Sequence, residues 1–301
     1  MTQIVVPKAT VIISNKYGRL GNRLFLGAHF MVNASRHGYN LHYPAFEEYA
    51  ESYEGSRLSI LASFPPPPRR SMFAGGFFRK TAFLILKRVA RPAAFLGFLG
   101  LARVVIGESG ADKKQTCDLN APEFISLLES SRLIFVKGWD FRDSEDSAPY
   151  WEKIRSYFKP VDYLRLPAEE VVKKAREKAT FVVGVHIRQG DYRQWESGRH
   201  YFETIYYIGL MKAYAAGKSG SVAFLVSSDQ PMNPSDFEGL NIIFATGNPV
   251  SDMHALSLCD RIVGPLSTFS GWASFYGQVP LCFVSGKTEI SDADFYIRNI
   301  I

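Results

Sequence analysis

FVVGVHIRQGDY (181–192) decides the reading of this 301-residue chain: an apolar run leads without a break into His186, Arg188, Asp191 and Tyr192. A run of that kind is what a strand buried on both faces of a parallel sheet requires, and open parallel sheets bind ligands at the carboxyl ends of their strands. Alternation along the strand places His186 and Arg188 on one face, and Gly190 lets the backbone turn so that Asp191 approaches the same region. An arginine at such a strand end is costly to bury alone. It either meets an internal carboxylate, Asp191 being the local choice, or waits for an anion.

Outward from this stretch the same signature recurs. VAFLVS (222–227), NIIFA (241–245), RIVG (261–264) and PLCFV (280–284) are short apolar runs. Helical patterns near 203–216, at 252–259 and after Ser267 separate them, and a charged helix at 167–179 precedes the series. Strands alternating with helices describe a compact Rossmann-like half. Toward the amino terminus TVIIS (10–14), YNLHY (39–43) and RLIFVKGW (132–139) read as strands, with helices over 20–37 and 149–158 and a break at Lys159-Pro160. The expected fold is therefore α/β, two facing Rossmann-like domains over 1–165 and 166–301, with a ligand cleft between them.

Composition narrows the class. With 47% apolar residues the chain is no collagen, disordered tail or disulfide miniprotein. Cys117, Cys259 and Cys282 lie far apart without ligand-like spacing, which predicts reduced thiols, no zinc site and a cytosolic compartment. The first twenty residues lack the apolar core of a signal peptide, so the expected location is cytoplasmic.

Two further strand-to-helix junctions carry polar residues. In GRLGNRLF (18–25), Gly18 and Gly21 permit a tight turn and Asn22 projects from the first helical turn; glycines serving only the turn are the plainer reading. In DMHALSLCDRIVGPLSTFSGWASFYG (252–277), Ser267, Thr268 and Ser270 lie at a helix amino end, where unsatisfied N–H groups and the dipole favour a phosphate and where the same hydroxyls also serve as caps. FLVSSDQP (224–231) brings Ser228 and Asp229 to the same rim. His254 reads as a packed or capping histidine.

Taken together, these four segments resemble the motifs of the GDP-fucose-dependent alpha-1,2-fucosyltransferases and of their alpha-1,6- and protein O-fucosyltransferase relatives. The resemblance spans 10–30 and 180–285 in family order, and His-x-Arg-x-Gly-Asp-Tyr is its most specific part. It implies an inverting, metal-independent transferase of GT-B type that needs no cofactor and holds GDP-fucose in its carboxy-terminal half. By motif position Arg188 meets the pyrophosphate, His186 and Asp252 face the guanine, and the Ser267, Thr268, Phe269 and Ser270 turn, with Asp229, completes the donor site. Asn22 reaches toward the reacting centre, and Asp191 is the candidate base for the acceptor hydroxyl. Gln189 stands where many alpha-1,2 members have a second arginine, and Gly271-Trp272 where they often have paired tryptophans.

The formal charge of +6 has one source. Residues 57–107 hold nine basic side chains and no Asp or Glu, leaving 26 basic against 29 acidic residues elsewhere. Within them, Lys80, Lys87 and Arg91 fall on one helical stripe while Phe78, Ala82, Ile85, Leu86 and Val89 gather on another side. The longest uncharged stretch, Pro92 to Ala102, is 11 residues, too short to span a bilayer. The pattern over 77–106 predicts an amphipathic helix at an anionic membrane surface on the cytoplasmic side, with a lipid-linked glycan as acceptor; a core helix with a solvated basic face is the alternative. Competing functions are transfer from another nucleotide sugar and a non-catalytic nucleotide- or polyanion-binding protein. Scarce Tyr and Trp in the basic segment argue against nucleic acid.

Overall fold

The structure, a computed structural model, describes residues 9–96, 102–107 and 116–299. Two compact units divide the chain between Val161 and Asp162. The 165/166 boundary expected from the sequence would cut through a helix.

The first unit contains, in order, β1 (Thr10–Ile13), α1 (Leu20–His37), β2 (Asn40–His42), α2 (Gly76–Leu96), β3 (Ala102–Gly107), β4 (Cys117–Asp118), α3 (Pro122–Ser130), β5 (Leu133–Gly138), β6 (Phe141–Arg142) and α4 (Trp151–Tyr157). Its main sheet is parallel in the order β2-β1-β5-β3, and β4 pairs separately with β6. Val11, Ile13, Leu24, Phe30 and Phe135 are fully buried in its core. A buried aromatic group, Tyr43, Phe46, Tyr53 and Phe158, packs ring on ring at 5.4–5.9 Å.

The segment 77–106 is not one helix, contrary to the sequence reading. The described helix runs from Gly76 to Leu96, residues 97–101 lie outside the described residues, and Ala102–Gly107 is a strand paired in register with Leu133–Gly138. The β-branched run Val104, Val105, Ile106 suits a sheet, and the partner that makes it one lies about thirty residues away, beyond the reach of local periodicity. Along α2 the faces also sort differently. Phe83 and Arg79 turn inward, and Leu86 packs against Ile12 and Phe135, whereas Phe78, Ile85 and Val89 point outward. No helix among the described residues is long and apolar enough to cross a membrane.

The second unit runs α5 (Asp162–Lys178), β7 (Phe181–Ile187), α6 (Thr204–Ala216), β8 (Val222–Ser228), β9 (Ile242–Phe244), α7 (Pro249–Leu256), β10 (Arg261–Gly264), α8 (Thr268–Gly277) and β11 (Leu281–Phe283). Helix α5 starts five residues before Pro167, the position at which a helix would be expected to begin; Arg165 braces this extra turn through Asp162 at 2.8 Å and Glu169 at 2.6 Å. All five strands are parallel in the order β11-β10-β7-β8-β9. Odd residues of β7, Val183, Val185 and Ile187, pack against Tyr207 and Met211 of α6, each fully buried aliphatic chain contributing about 1.5–3 kcal/mol. Even residues face α7 and α8, so the period of two carries His186 to that side.

Candidate active site

The strand order fixes where a site belongs. From β7 the chain moves outward through β8 to β9, then returns to the other side of β7 for β10 and β11. The connections leaving β7 and β10 therefore diverge, and the crevice at the carboxyl ends of these two adjacent strands is the topological switch point of the sheet. His186, Arg188, Ser267, Thr268 and Phe269 gather there. The β7–β8 register, His186 opposite Ser227 and Ile187 opposite Ser228, brings Asp229 to the same end.

His186 is buried, with Nδ1 2.8 Å from Ser270 Oγ and its ring 4.7 Å from that of Phe269. Burial, reinforced by the Arg188 charge, holds its pKa down at about 3, so the imidazole is neutral. Gly264, at the end of β10, makes this approach possible. A Cβ there would meet Ser270 Oγ at 2.8 Å and His186 Cβ at 3.1 Å.

Arg188 lies side-on to Asp191, donating Nε–H at 3.0 Å and Nη2–H at 2.8 Å to its two oxygens, with the guanidinium 4.6 Å over the Tyr192 ring. Burial opposes the charge, but the hydrogen bonds to Asp191 outweigh it and raise the pKa further. Tyr192 in turn donates its hydroxyl to the Leu266 carbonyl at 2.7 Å, tying this turn to the one after β10. Asp229 Oδ1 accepts the backbone N–H groups of Gln189 at 2.9 Å and Gly190 at 3.3 Å. The turn that presents Arg188 is thus gripped by a carboxylate from the next strand. Gln189 points inward, its amide donating to the Phe202 carbonyl at 3.0 Å and Thr204 Oγ1 at 3.2 Å. Sequence reasoning named Gln189 and Tyr192 but gave neither this bracing role.

Ser267 caps α8, its Oγ accepting Phe269 N–H at 3.2 Å; Thr268 and Phe269 are half-buried. Of the residues expected at the donor, Ser270 and Asp252 are buried, as are His186 and Ser267. Ser270 is fully buried behind its bond to His186. Asp252 is 4% exposed, and its oxygens accept from Thr246 Oγ1 at 2.7 Å, Gly247 N–H at 3.1 Å and Ser227 Oγ at 3.2 Å. Burial raises the Asp252 pKa against these hydrogen bonds. It ties the loop after β9 to the end of β8. Both hydroxyl and carboxylate satisfy the fold because a buried polar group left unpaired would be destabilising.

In the first unit Asn22 stands in the first turn of α1, its side chain tucked beneath Gly18, whose φ of +60° admits the turn. A Cβ on Gly18 would clash with Asn22 Nδ2. Arg23 next to it is buried and donates to Glu48 at 2.7 Å, and Lys16 reaches Glu47 at 2.7 Å. This cluster also escaped the sequence reading, since its acids come from the irregular stretch after β2. Among the described residues no group of three or more His, Cys, Asp or Glu is placed to hold a metal ion, and Cys117, Cys259 and Cys282 are thiols.

Two parallel α/β sheets, the second with its polar residues at a switch point, define the GT-B-like class of glycosyltransferase folds. Residues 147–295, which include nearly the whole second unit, match the model of glycosyl transferase family 11. Among solved structures, a mutant of Arabidopsis thaliana FUT1 in complex with GDP is similar at 13% identity and TM-score 0.56, over 98% of this chain and 74% of that one. POFUT1 in its apo form is similar at 12% identity and TM-score 0.57, over 95% of this chain and 100% of the other. The alpha-1,6-fucosyltransferase NodZ soaked with GDP-fucose gives 15% identity and TM-score 0.52, over 92% of this chain and 95% of the other. No curated protein matches the sequence. The resemblance to the fucosyltransferases drawn from the motifs is borne out.

Proposed function

We propose that the protein transfers fucose from GDP-fucose, with inversion, to a hydroxyl of a glycan acceptor, and that the reaction is alpha-1,2-fucosylation of a galactoside in a surface polysaccharide or glycolipid. The observation that supports this best is Arg188 at the switch point, held side-on by Asp191 so that its Nη1 edge is not engaged by that carboxylate. A guanidinium has five N–H donors in a planar fork; two serve Asp191 and others remain for a phosphate.

In the reaction the bond between the fucose anomeric carbon and the β-phosphate oxygen breaks, GDP keeps the electron pair, and the acceptor oxygen forms the new bond on the opposite face. Negative charge grows on the β-phosphate as the bond lengthens. The Nη1 edge of Arg188 and the first N–H groups of α8 stabilise that growth more than the ground state, which lowers the barrier. Neutral His186 serves this centre indirectly by fixing Ser270 and Phe269, and Asp229 by fixing the Arg188 turn.

Asp191, with both oxygens taken by Arg188, enters the proposal as the positioning residue for that guanidinium. The acceptor proton is then lost to solvent on the face opposite GDP, and Asn22 orients the acceptor by motif position. No cofactor is invoked, and transfer is proposed to be metal-independent.

Incubation with GDP-fucose and a panel of galactosyl acceptors, with product linkage read by NMR, tests the reading. An alpha-1,2 product is expected. Turnover only with a different nucleotide sugar would replace the donor, and nucleotide binding without transfer to any acceptor would remove the enzymatic reading.

A further inference from the structure

The helix α2 presents an apolar face that the described residues of its unit do not cover. Its inner face is already satisfied. Arg79 is fully buried and donates to the carbonyls of Ser56 at 3.0 Å and Arg57 at 2.8 Å and to Glu51 at 3.2 Å, while Phe83 packs inward, with Lys16 Nζ 4.8 Å over its ring. At 100° per residue the opposite side carries Phe77, Leu84 and Ile85, which are 79%, 42% and 55% exposed. Met72 and Phe73, in the loop that leads into the helix, are 87% and 54% exposed. Scattered surface apolar residues need no explanation; five large ones on one helix face and the adjoining loop do.

The charges around this face sort into two sets. Arg57, Arg70 and Arg79 pair with Glu54 and Glu51, so the net excess of the segment is smaller than the sequence count suggests. Among the described residues Arg69, Lys80 and Arg88, all exposed, have no carboxylate partner. Aromatic and aliphatic side chains interspersed with cations that no described residue neutralises are complementary to one kind of surface: apolar beneath and anionic at the boundary. Neither a polyanion in water nor a neutral apolar partner matches both features.

We propose that the outer face of α2, with the Met72–Phe73 loop, docks on an anionic phospholipid bilayer, Phe77 and Ile85 entering the acyl boundary while Lys80 and Arg88 meet the headgroups. The residues belong to none of the elements assigned to donor chemistry, so the proposal stands apart from the transferase reading. It places the chain on a membrane as a peripheral protein.

The test is flotation of the full chain with vesicles of phosphatidylcholine alone and of phosphatidylcholine containing about 30% phosphatidylglycerol, at about 0.1 M and about 0.5 M salt. Binding is expected only to the anionic vesicles, and is expected to fall by more than about tenfold at the higher salt. Phe77→Ser with Ile85→Ser, and separately Lys80→Glu with Arg88→Glu, are each expected to lower partitioning by about tenfold or more. Both double variants should keep their circular dichroism and their turnover of a soluble acceptor, since every substituted side chain is exposed. Absence of binding to anionic vesicles, or equal binding of either double variant, overturns the proposal. So does a concentration-dependent dimer abolished by Phe77→Ser without vesicle binding, or stronger retention by RNA than by the anionic vesicles.

Discussion

In the proposed reaction Arg188 is the residue on which the chemistry turns, and its partner Asp191 defines how. If Asp191 positions the guanidinium, Asp191→Asn weakens the side-on pair without removing a proton acceptor. The expected outcome is a raised KM for GDP-fucose with the acidic limb of the kcat profile unchanged; loss of that limb would make Asp191 the base after all. Arg188→Ala is expected to lower kcat by about 100- to 1000-fold, the equivalent of about 2.7–4 kcal/mol, with the unfolding midpoint little moved. Arg188→Lys recovers little, because a point charge cannot serve Asp191 and a phosphate in one plane. Period-two alternation was enough to set His186 and Arg188 at one strand end from sequence. The fates of Ser270 and Asp252 were not legible there: each is decided by a neighbour distant in the chain, His186 for one and Ser227 for the other.

At the scale of elements, the unit β10, turn and α8 does most to shape the site. Its backbone passes so close to β7 that Gly264→Ala must push Ser270 or His186 aside, with an expected loss of about 1–3 kcal/mol by urea denaturation. Ser267→Ala removes the α8 cap and is expected to lower stability by about 0.5–2 kcal/mol while also raising KM for the donor. A structural cap alone would change stability and leave KM where it is. RIVG and the helix after Ser267 were readable because turn residues bound a short apolar run. The stretch 77–106 was not. Its Leu, Ile and Val satisfy a helical period and a strand equally, and only pairing with β5 separates Ala102–Gly107 from the helix before it.

For the whole molecule, alternating strands and helices made the α/β class plain, whereas the small pair β4-β6 and the irregular stretch after β2 carried no periodic signal. In each unit a buried histidine, His29 in the first and His186 in the second, has its pKa held at about 3 by burial and by Arg142 and Arg188 respectively. The unfolded chain binds these protons near pH 6.5 and the folded one does not. Stability from this source is complete above that pH and is lost as the pH falls toward 3, at up to about 1.4 kcal/mol per pH unit for each imidazole. Urea midpoints between pH 7 and pH 4 are expected to decline, and less steeply in His29→Gln; a flat profile would contradict the buried neutral state. Turnover in EDTA is expected to match turnover in its absence, and loss of activity restored by a divalent cation would overturn metal independence. The most direct test of the whole account is calorimetric titration of GDP into the intact protein and into Arg188→Ala. The account predicts that the wild type binds GDP and that affinity falls by at least about tenfold in the variant, the loss of one charge-assisted contact. Equal affinity in the two proteins would contradict it.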